Sequence, residues 1–190
     1  MSETEARPRH VALLRGINVG GRNRLPMKDL AMVFTDAGCG DVETYIASGN
    51  VLFTAPDELY TRIATVISEA IERSRQLCVA VVTRTGGELA AAAERNPWDN
   101  SDTDPKALHV AFLADSPSPE SVATLEPNRS PSDDFAVSGR EIYLRCPNGM
   151  GRSRLTNNYF EARLGTACTV RNWRTVRKLR DLSAAPPSRQ

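Results

Sequence analysis

The chain has 190 residues, of which 41% are hydrophobic and 25% are charged, and its formal net charge is +1. This composition is ordinary for a globular protein, and a chain of this length buries roughly 70% of its unfolded surface. A net charge this small creates no molecule-wide field that would attract nucleic acid or a membrane surface. Electrostatic recognition must therefore depend on a local patch.

The first ten residues, MSETEARPRH, contain no apolar signal core, and no apolar run approaches the ~20 residues that a membrane helix needs. The cysteines are scattered without C-x-x-C spacing, at Cys39, Cys78, Cys146 and Cys168. This pattern favours reduced thiols over disulfides or zinc ligands. We therefore expect a cytoplasmic protein that has no membrane partner and uses no metal or other cofactor.

Short apolar runs and helical periodicity predict the elements of the first half in chain order. Strands are predicted at 10–14, 42–47, 51–54 and 78–83, and helices after Pro26 and at 59–75 and 88–95. The three residues Ser48-Gly49-Asn50 are predicted to form the turn between the second and third strands.

The same order of elements recurs in the second half. Strands are predicted at 108–113, 135–137, 142–145 and 169–171, and helices at 119–125, 157–164 and 173–182. Three local matches suggest a duplication. The segment HVAFL at 109–113 repeats HVALL at 10–14, Ser138-Gly139 repeats Ser48-Gly49, and Cys168 follows Cys78 at the same 90-residue offset.

These patterns predict an α+β fold of two tandem ferredoxin-like (β-α-β-β-α-β) halves with antiparallel sheets and an extra helix after each. The predicted boundaries are 9–97 for the first half, 98–106 for a polar linker and 107–183 for the second half. Residues 184–190 have the composition of a disordered tail.

Two loops contain the string G-R-[N/S]-R-L, and each leads into a predicted helix. The first follows the first strand and contains Gly20, Gly21, Arg22 and Arg24. The second follows the third strand of the second half and contains Gly149, Gly151, Arg152, Ser153 and Arg154. We expect the first and third strands of each half to be parallel, which would place both loops at the same sheet edge.

Glycine, arginine and a helix N-terminus together favour an anion-binding site. Glycine lets the backbone approach a ligand, the helix start attracts negative charge, and arginine binds phosphate or carboxylate through two hydrogen bonds. Arg15 and Asn18 would extend the first loop's site. The alternative is that the glycines serve tight turns and that the arginines are solvated or ion-paired. A P-loop is rejected, because Arg22 and Asn23 replace its lysine and hydroxyl residue and the sheet is not parallel.

The segment 171–180 is the densest basic cluster of the chain. Asn172 is predicted to cap a helix here, and Trp173 either stacks on a nucleic-acid base or packs in the core. Ser48 and Asn50 are further candidates for ligand contact, although turn geometry explains them adequately. Neither of the two histidines lies beside a nucleophile, so no catalytic residue is predicted.

Five segments in order carry a family resemblance: ALLRGINVGGRNRLPMKDL, TYIASGNVLF, Asn96-Pro97, EIYLRCPNGMGRSRL and TVRNWRTVRKL. They resemble the bacterial domain-of-unknown-function family 1697 from about Val11 to Leu179. The resemblance implies an α+β fold with two related halves and brings no established activity. In the family, lysine is common where this chain has Arg22, Arg24 and Arg154. Arginine retains the positive charge but cannot act as a Schiff-base or nucleophilic amine.

We therefore expect a protein that binds a phosphate- or carboxylate-bearing ligand, such as a nucleotide or nucleic acid, through the two loops. The small net charge argues weakly against a general nucleic-acid binder. Two alternatives are a protein-assembly module and a metal-independent enzyme that uses Asn18, Ser48, Asn50 or Tyr143 on a small metabolite. The predicted ligand-binding residues are Arg15, Asn18, Gly20, Gly21, Arg22, Arg24, Ser48, Asn50, Gly149, Gly151, Arg152, Ser153, Arg154, Asn172 and Trp173.

Overall fold

A computed structural model describes residues 9–21, 23–100 and 102–184 of the chain. Over these ranges the chain forms a mixed α+β structure with seven α-helices and eight strands, which make two four-stranded antiparallel sheets. Among the described residues, no helix combines the length and the apolar character needed to cross a membrane.

The first sheet has the strand order β2-β3-β1-β4. Its strands are β1 (His10–Leu14), β2 (Gly40–Tyr45), β3 (Asn50–Thr54) and β4 (Val81–Thr85). The helices of this part are α1 (Met27–Asp36), α2 (Asp57–Tyr60), α3 (Ile63–Arg75) and α4 (Gly86–Glu94). The two central strands are buried along their whole length, as their apolar sequences HVALL and NVLFT predict.

Helical spacing of apolar residues forms the core beneath this sheet. Leu30 and Phe34 of α1 lie four residues apart, as do Ile63, Ile67 and Ile71 of α3, and all five are fully buried. One core therefore joins α1 and α3 to the central strands.

The second sheet has the strand order β6-β7-β5-β8. Its strands are β5 (Leu108–Leu113), β6 (Asp134–Ser138), β7 (Glu141–Arg145) and β8 (Cys168–Asn172). The α-helices are α5 (Pro119–Ala123), α6 (Asn157–Leu164) and α7 (Trp173–Ala184), and short 3₁₀ helices lie at Pro105–Ala107 and Met150–Arg152. A separate core contains Leu113, Leu144 and Phe160.

The central strands of each sheet are antiparallel to each other. Ala12 of β1 lies opposite Val51 of β3, and Ala111 of β5 lies opposite Ile142 of β7. The expectation that the first and third strands are parallel was therefore wrong, because every neighbouring pair in this strand order is antiparallel. In either sheet, a loop that follows the first strand and a loop that follows the third strand therefore leave at opposite edges. The two Gly/Arg loops follow a first strand in one sheet and a third strand in the other.

The two sheets have matching registers around their central strands. Residues 51–53 pair with β1 as residues 142–144 pair with β5. The carbonyl of Gly49 accepts the N–H of Leu14 at 2.8 Å, and the carbonyl of Arg140 accepts the N–H of Leu113 at 2.9 Å. Gly49 thus corresponds to Arg140, and the two Ser-Gly pairs are one residue out of register.

The predicted correspondence between Cys78 and Cys168 was wrong. Strand β4 begins at Val81, not at Cys78, and Val81 pairs with Leu14. Cys168 pairs with Leu113 and so occupies the position of Val81 in the other sheet. Cys78 is exposed, whereas Cys39, Cys146 and Cys168 are buried thiols.

The chain divides into two compact units at positions that differ from the predicted boundaries. Of the described residues, 9–90 and 179–184 form the first unit and 91–178 form the second. Helices α4 and α7 therefore each contribute to both units. The predicted linker 98–106 belongs to the second unit. Ala184 ends α7, and the rest of the predicted tail lies outside the described residues.

Candidate ligand-binding cleft

The first Gly/Arg loop is held in shape by the side chain of Asn18. Its Nδ2 donates to the carbonyl oxygens of Leu25 and Ala47 at 2.9 and 3.0 Å, and its Oδ1 accepts the N–H of Leu25 at 2.8 Å. Asn23 Nδ2 donates to the Gly16 carbonyl at 3.1 Å. These bonds give both asparagines a structural role and tie the loop to the β2–β3 turn.

The tip of the first loop is exposed to solvent. Gly20 and Gly21 have φ values of 57° and 76°, and a Cβ at either would meet open space, so the backbone conformation rather than a close contact favours glycine here. The exposed Arg24 makes no ion pair or side-chain hydrogen bond within the described ranges. Arg15 is half-buried, and Arg22 lies outside the described residues.

Ser48 and Asn50, the other two predicted ligand-binding residues of the first unit, have structural roles at the turn between β2 and β3. The turn is formed by residues 46–49, and Asn50, predicted to lie in the turn, is instead the buried first residue of β3. Asn50 Nδ2 donates to the Tyr45 carbonyl at 3.0 Å and to Ser48 Oγ at 2.9 Å. The arrangement supports the turn-geometry interpretation of Ser48 and Asn50.

The second Gly/Arg loop projects its arginines into solvent. Arg152 and Arg154 are exposed, and neither guanidinium has a partner in the part of the chain that the structure describes. Gly149 has a φ of 83°, whereas Gly151 has no positive φ and open space beside it. Ser153 Oγ accepts the N–H of Leu155 at 3.0 Å and so stabilises the loop.

The last two predicted ligand-binding residues, Asn172 and Trp173, are adjacent at the start of α7 but differ in their exposure. Asn172 is exposed, and its Oδ1 accepts the N–H of Thr175 at 2.8 Å, which is the predicted capping contact. Trp173 is fully buried, and its Nε1 donates to Asp99 Oδ1 at 2.9 Å. A buried indole offers no face to a base, so the core-packing interpretation is favoured over stacking.

Antiparallel pairing brings the second Gly/Arg loop and the start of α7 to one edge of the second sheet. Leu108, at the start of β5, lies opposite Arg145 at the end of β7. His109 lies opposite Asn172 at the end of β8. The segment 102–107 enters β5 at this same edge. Three stretches that are distant in sequence therefore meet there.

Two adjoining concavities open at this edge and share Asp104 and Lys106. We call them together the Lys106 cleft. The loop lobe, of about 490 Å³, is lined by residues 102–104, 106–107 and 145–149. The helix lobe, of about 480 Å³, is lined by Asp104, Pro105, Lys106, His109, Asn172 and Arg174. Both volumes lie in the range typical of small-molecule sites.

Short-range hydrogen bonds fix the wall of the cleft that was predicted to be a linker. Asn100 Oδ1 accepts from the Asp102 N–H and from Thr103 Oγ1, both at 3.1 Å. Asp104 Oδ1 accepts the N–H of Lys106 at 2.9 Å and so caps the 3₁₀ helix. Side-chain caps of this kind order a polar segment without an apolar core.

The helix lobe carries more positive than negative charge. Lys106 and Arg174 are exposed, and their charged groups have no hydrogen-bond or ion-pair partner among the residues that the structure describes. Asp104 contributes a carboxylate to the same lobe. Arg145, at the loop lobe, is paired with Asp134 at 2.6 Å.

His109 places a buried imidazole against the helix lobe. The residue is 9% exposed, and its Nδ1 lies 3.3 Å from the Ala107 carbonyl oxygen. A proton on Nδ1 donated to that oxygen leaves Nε2 as the remaining polar atom of the ring. Burial lowers the pKa of His109, and the bond to Ala107 only partly opposes this shift, so the ring is neutral at pH 7.

The thiol at the loop lobe is not a nucleophile. Burial raises the pKa of Cys146 to about 11, and the nearby Asp133 adds to the shift. A thiol with this pKa stays protonated at neutral pH, and the thiolate is the reactive form. Within the described ranges, no group of three or more His, Cys, Asp or Glu side chains could hold a metal ion.

Sequence reasoning missed the main residues of the Lys106 cleft. Lys106 was assigned to a linker, Arg174 to a basic helix face, and His109 to a strand start. The signal that could have found them is the correct pairing direction, since the start of β5 must meet the ends of β7 and β8. Asn172 and Gly149 were predicted and line opposite lobes.

Comparison with known proteins identifies the family. A family model described as "Protein of unknown function (DUF1697)" matches residues 8–143, and the chain belongs to this family. The solved structure of the conserved bacterial protein SP0830 from Streptococcus pneumoniae is similar, with a TM-score of 0.74 and 21% identity over 95% of this chain and 100% of that one. At this identity the likeness shows the fold alone. No curated protein matches the chain.

Proposed function

We propose that this member of the DUF1697 family binds a small ligand carrying a phosphate or carboxylate group in the Lys106 cleft. One observation carries the proposal. Lys106 and Arg174, which have no anionic partner among the described residues, border a concavity of about 480 Å³. Cations that line a concave surface without an internal partner are available for an anion from solution.

A further feature of the helix lobe supports an anion. Helix α7 has 12 residues and begins at Trp173, so its N-terminal end lies beside Asn172 and Arg174. Such an end carries about half a positive charge.

The Gly/Arg loops have different roles in this proposal. Gly149 and the neighbouring Asn148 line the loop lobe, and Arg152 and Arg154 would extend the positive surface outside it. The first loop lies in the other compact unit, and an anion contact by Arg24 there remains a separate prediction. A nucleotide is one member of the proposed ligand class.

We further infer that the two halves arose by duplication of a ferredoxin-like unit. The matching strand orders and the matching registers of residues 51–53 and 142–144 support this inference. A cytoplasmic location also remains a proposal, supported by the buried thiols. The enzyme and assembly alternatives remain open hypotheses.

Binding of simple anions to a charge-deleted variant tests the proposed function. We expect pyrophosphate to raise the melting temperature and bind measurably by calorimetry. Lys106→Ala with Arg174→Ala should weaken this binding at least about tenfold, because each charge-assisted hydrogen bond contributes about 1.5–3 kcal/mol. The matched control is Arg177→Ala with Lys178→Ala, which removes the same charge from exposed positions of α7, the helix that contains Arg174.

The two double variants distinguish a local site from general attraction. Equal weakening in both would mean that only net charge matters and would contradict the proposal. Absence of pyrophosphate and citrate binding by the unmodified protein would also contradict it.

A further inference from the structure

The two lobes of the Lys106 cleft differ in chemistry. The helix lobe has two cationic side chains, Lys106 and Arg174. Of these two, the loop lobe is lined only by Lys106, and its other cation, Arg145, is already paired with Asp134. Asp102 and Asp104 give the loop lobe two carboxylates. A second anionic group is therefore disfavoured in the loop lobe.

Thr103 and Asn148 add neutral hydrogen-bonding groups to the loop lobe. Asn148 is exposed, and its amide makes no hydrogen bond within the described part of the chain. Thr103 Oγ1 donates to Asn100 Oδ1 at 3.1 Å, which leaves its lone pairs to accept. Asp104 uses Oδ1 for the Lys106 N–H, which leaves Oδ2 to accept from a hydroxyl group. An acceptor carboxylate beside an amide suits hydroxyl groups, each of which both donates and accepts.

The residues that line the loop lobe also favour hydroxyl groups over a nucleobase. No aromatic side chain is among the described residues that line the loop lobe, so it provides no stacking surface for a nucleobase. Asp104 and Lys106 border both lobes. A ligand that joins a phosphate to a hydroxyl-bearing chain or ring would satisfy both lobes at once.

From this difference we propose that the Lys106 cleft binds a sugar phosphate, with the phosphate in the helix lobe and the sugar hydroxyls in the loop lobe. The inference rests on the proposed function and narrows its ligand class. Asp104 and Asn148 contact the hydroxyl groups, and Lys106 and Arg174 contact the phosphate.

The test compares three phosphates that differ only beyond the phosphate group: methyl ribofuranoside 5-phosphate, n-butyl phosphate and adenosine monophosphate. None has a free aldehyde that could react with Lys106. We expect the riboside phosphate to bind at least about tenfold more tightly than n-butyl phosphate, since two further hydrogen bonds form. We expect the base of adenosine monophosphate to add no further affinity.

Two variants test the assignment of lobes. Asp104→Asn keeps a side-chain cap for the Lys106 N–H but removes the charged acceptor. Asn148→Ala removes the amide at an exposed position. Each should reduce the preference for the riboside phosphate by about three- to tenfold and should not weaken n-butyl phosphate binding.

The outcomes separate this inference from the proposed function. If the riboside and butyl phosphates bind equally, and the Lys106 and Arg174 double variant loses this binding, the sugar assignment is overturned. The proposal of anion binding then stands. Tighter binding of adenosine monophosphate would overturn the sugar assignment in favour of a nucleotide. Binding of none of the three while pyrophosphate still binds would overturn the sugar assignment alone. Both proposals would be overturned if neither pyrophosphate nor citrate bound as well.

Discussion

At the scale of single residues, His10 is held in the folded protein without hydrogen bonds to its ring. It is 3% exposed, and neither ring nitrogen has a hydrogen-bond partner among the described residues. Its ring stacks on Tyr60 with centroids 4.0 Å apart. Burial lowers the pKa of His10, and the nearby carboxylates of Asp57 and Glu88 oppose this shift only in part.

The lowered pKa predicts that acid destabilises the first unit. Below the unfolded pKa of about 6.5, the unfolded chain binds the His10 proton more readily than the folded chain does. The stability that neutral His10 supports is complete above that pH and is lost as the pH falls. We expect His10→Phe to flatten the decrease in the free energy of unfolding between about pH 6.5 and 5.

Urea unfolding at several pH values checks this prediction. His109, whose pKa burial also lowers, should leave a residual slope that His10→Phe does not remove. An unchanged pH dependence in His10→Phe would show that the buried ring does not control acid stability.

At the scale of elements, the β2–β3 turn contains an unfavourable backbone conformation. Ile46 is β-branched and half-exposed, yet its φ is 48°. Such a φ is rare for a β-branched residue. The turn is held by the bond from Asn18 to the Ala47 carbonyl and by Gly49, where a Cβ would approach Ile17 to 2.9 Å.

Substitution of Ile46 separates backbone strain from side-chain burial. Ile46→Gly and Ile46→Ala both remove the side chain, but only glycine accepts a positive φ without cost. We expect the glycine variant to be more stable than the alanine variant by about 1 kcal/mol in urea unfolding, the reverse of the usual order. The control is the same comparison of alanine and glycine variants at the exposed helical residue Met32, where the usual order of stability is expected. An Ile46→Ala variant at least as stable as Ile46→Gly would contradict the prediction.

Sequence pattern predicted some elements to the residue and missed others for physical reasons. Strands β1 and β5 and helix α6 have their predicted bounds, because each is a distinct apolar or capped segment. The predicted helix 59–75 is interrupted at residues 61–62, and this short break does not change the apolar period that starts at Ile63. Glycine loops and the Asn172 cap are local signals and were found. The Lys106 cleft depends on which strand ends meet, and no single segment carries that information.

At the scale of the whole molecule, residues 179–184 of helix α7 complete the first unit although they follow the second unit in the sequence. Leu179 is fully buried, and Ser183 lies 3.4 Å from the position of a Cβ on Gly86. The Leu182 carbonyl accepts from Arg9 Nη1 at 3.1 Å. The Arg9 side chain is 4% exposed and also pairs with Glu43 at 2.9 Å.

A chain ending at Lys178 should therefore destabilise the N-terminal sheet. Loss of the buried Leu179 and of a partly buried acceptor for the buried Arg9 should cost roughly 3 kcal/mol or more. Hydrogen exchange should show weaker protection in β1 and β3 than in β5 and β7. A chain ending at Ala184 keeps all described residues of α7 and serves as the control. Equal loss of protection in both sheets would refute the assignment of residues 179–184 to the first unit.

The division of α7 between the two units also sets an order of completion during protein synthesis. Residues 179–184 leave the ribosome only after the whole of 91–178, a delay of roughly 4–18 s at 5–20 residues per second. Residues 9–90 therefore wait for their last partners until the second unit has been synthesised, in contrast to the usual N-to-C order. In that interval the nascent first sheet lacks the Leu182 acceptor for Arg9, and we expect this to favour misfolding or chaperone binding there.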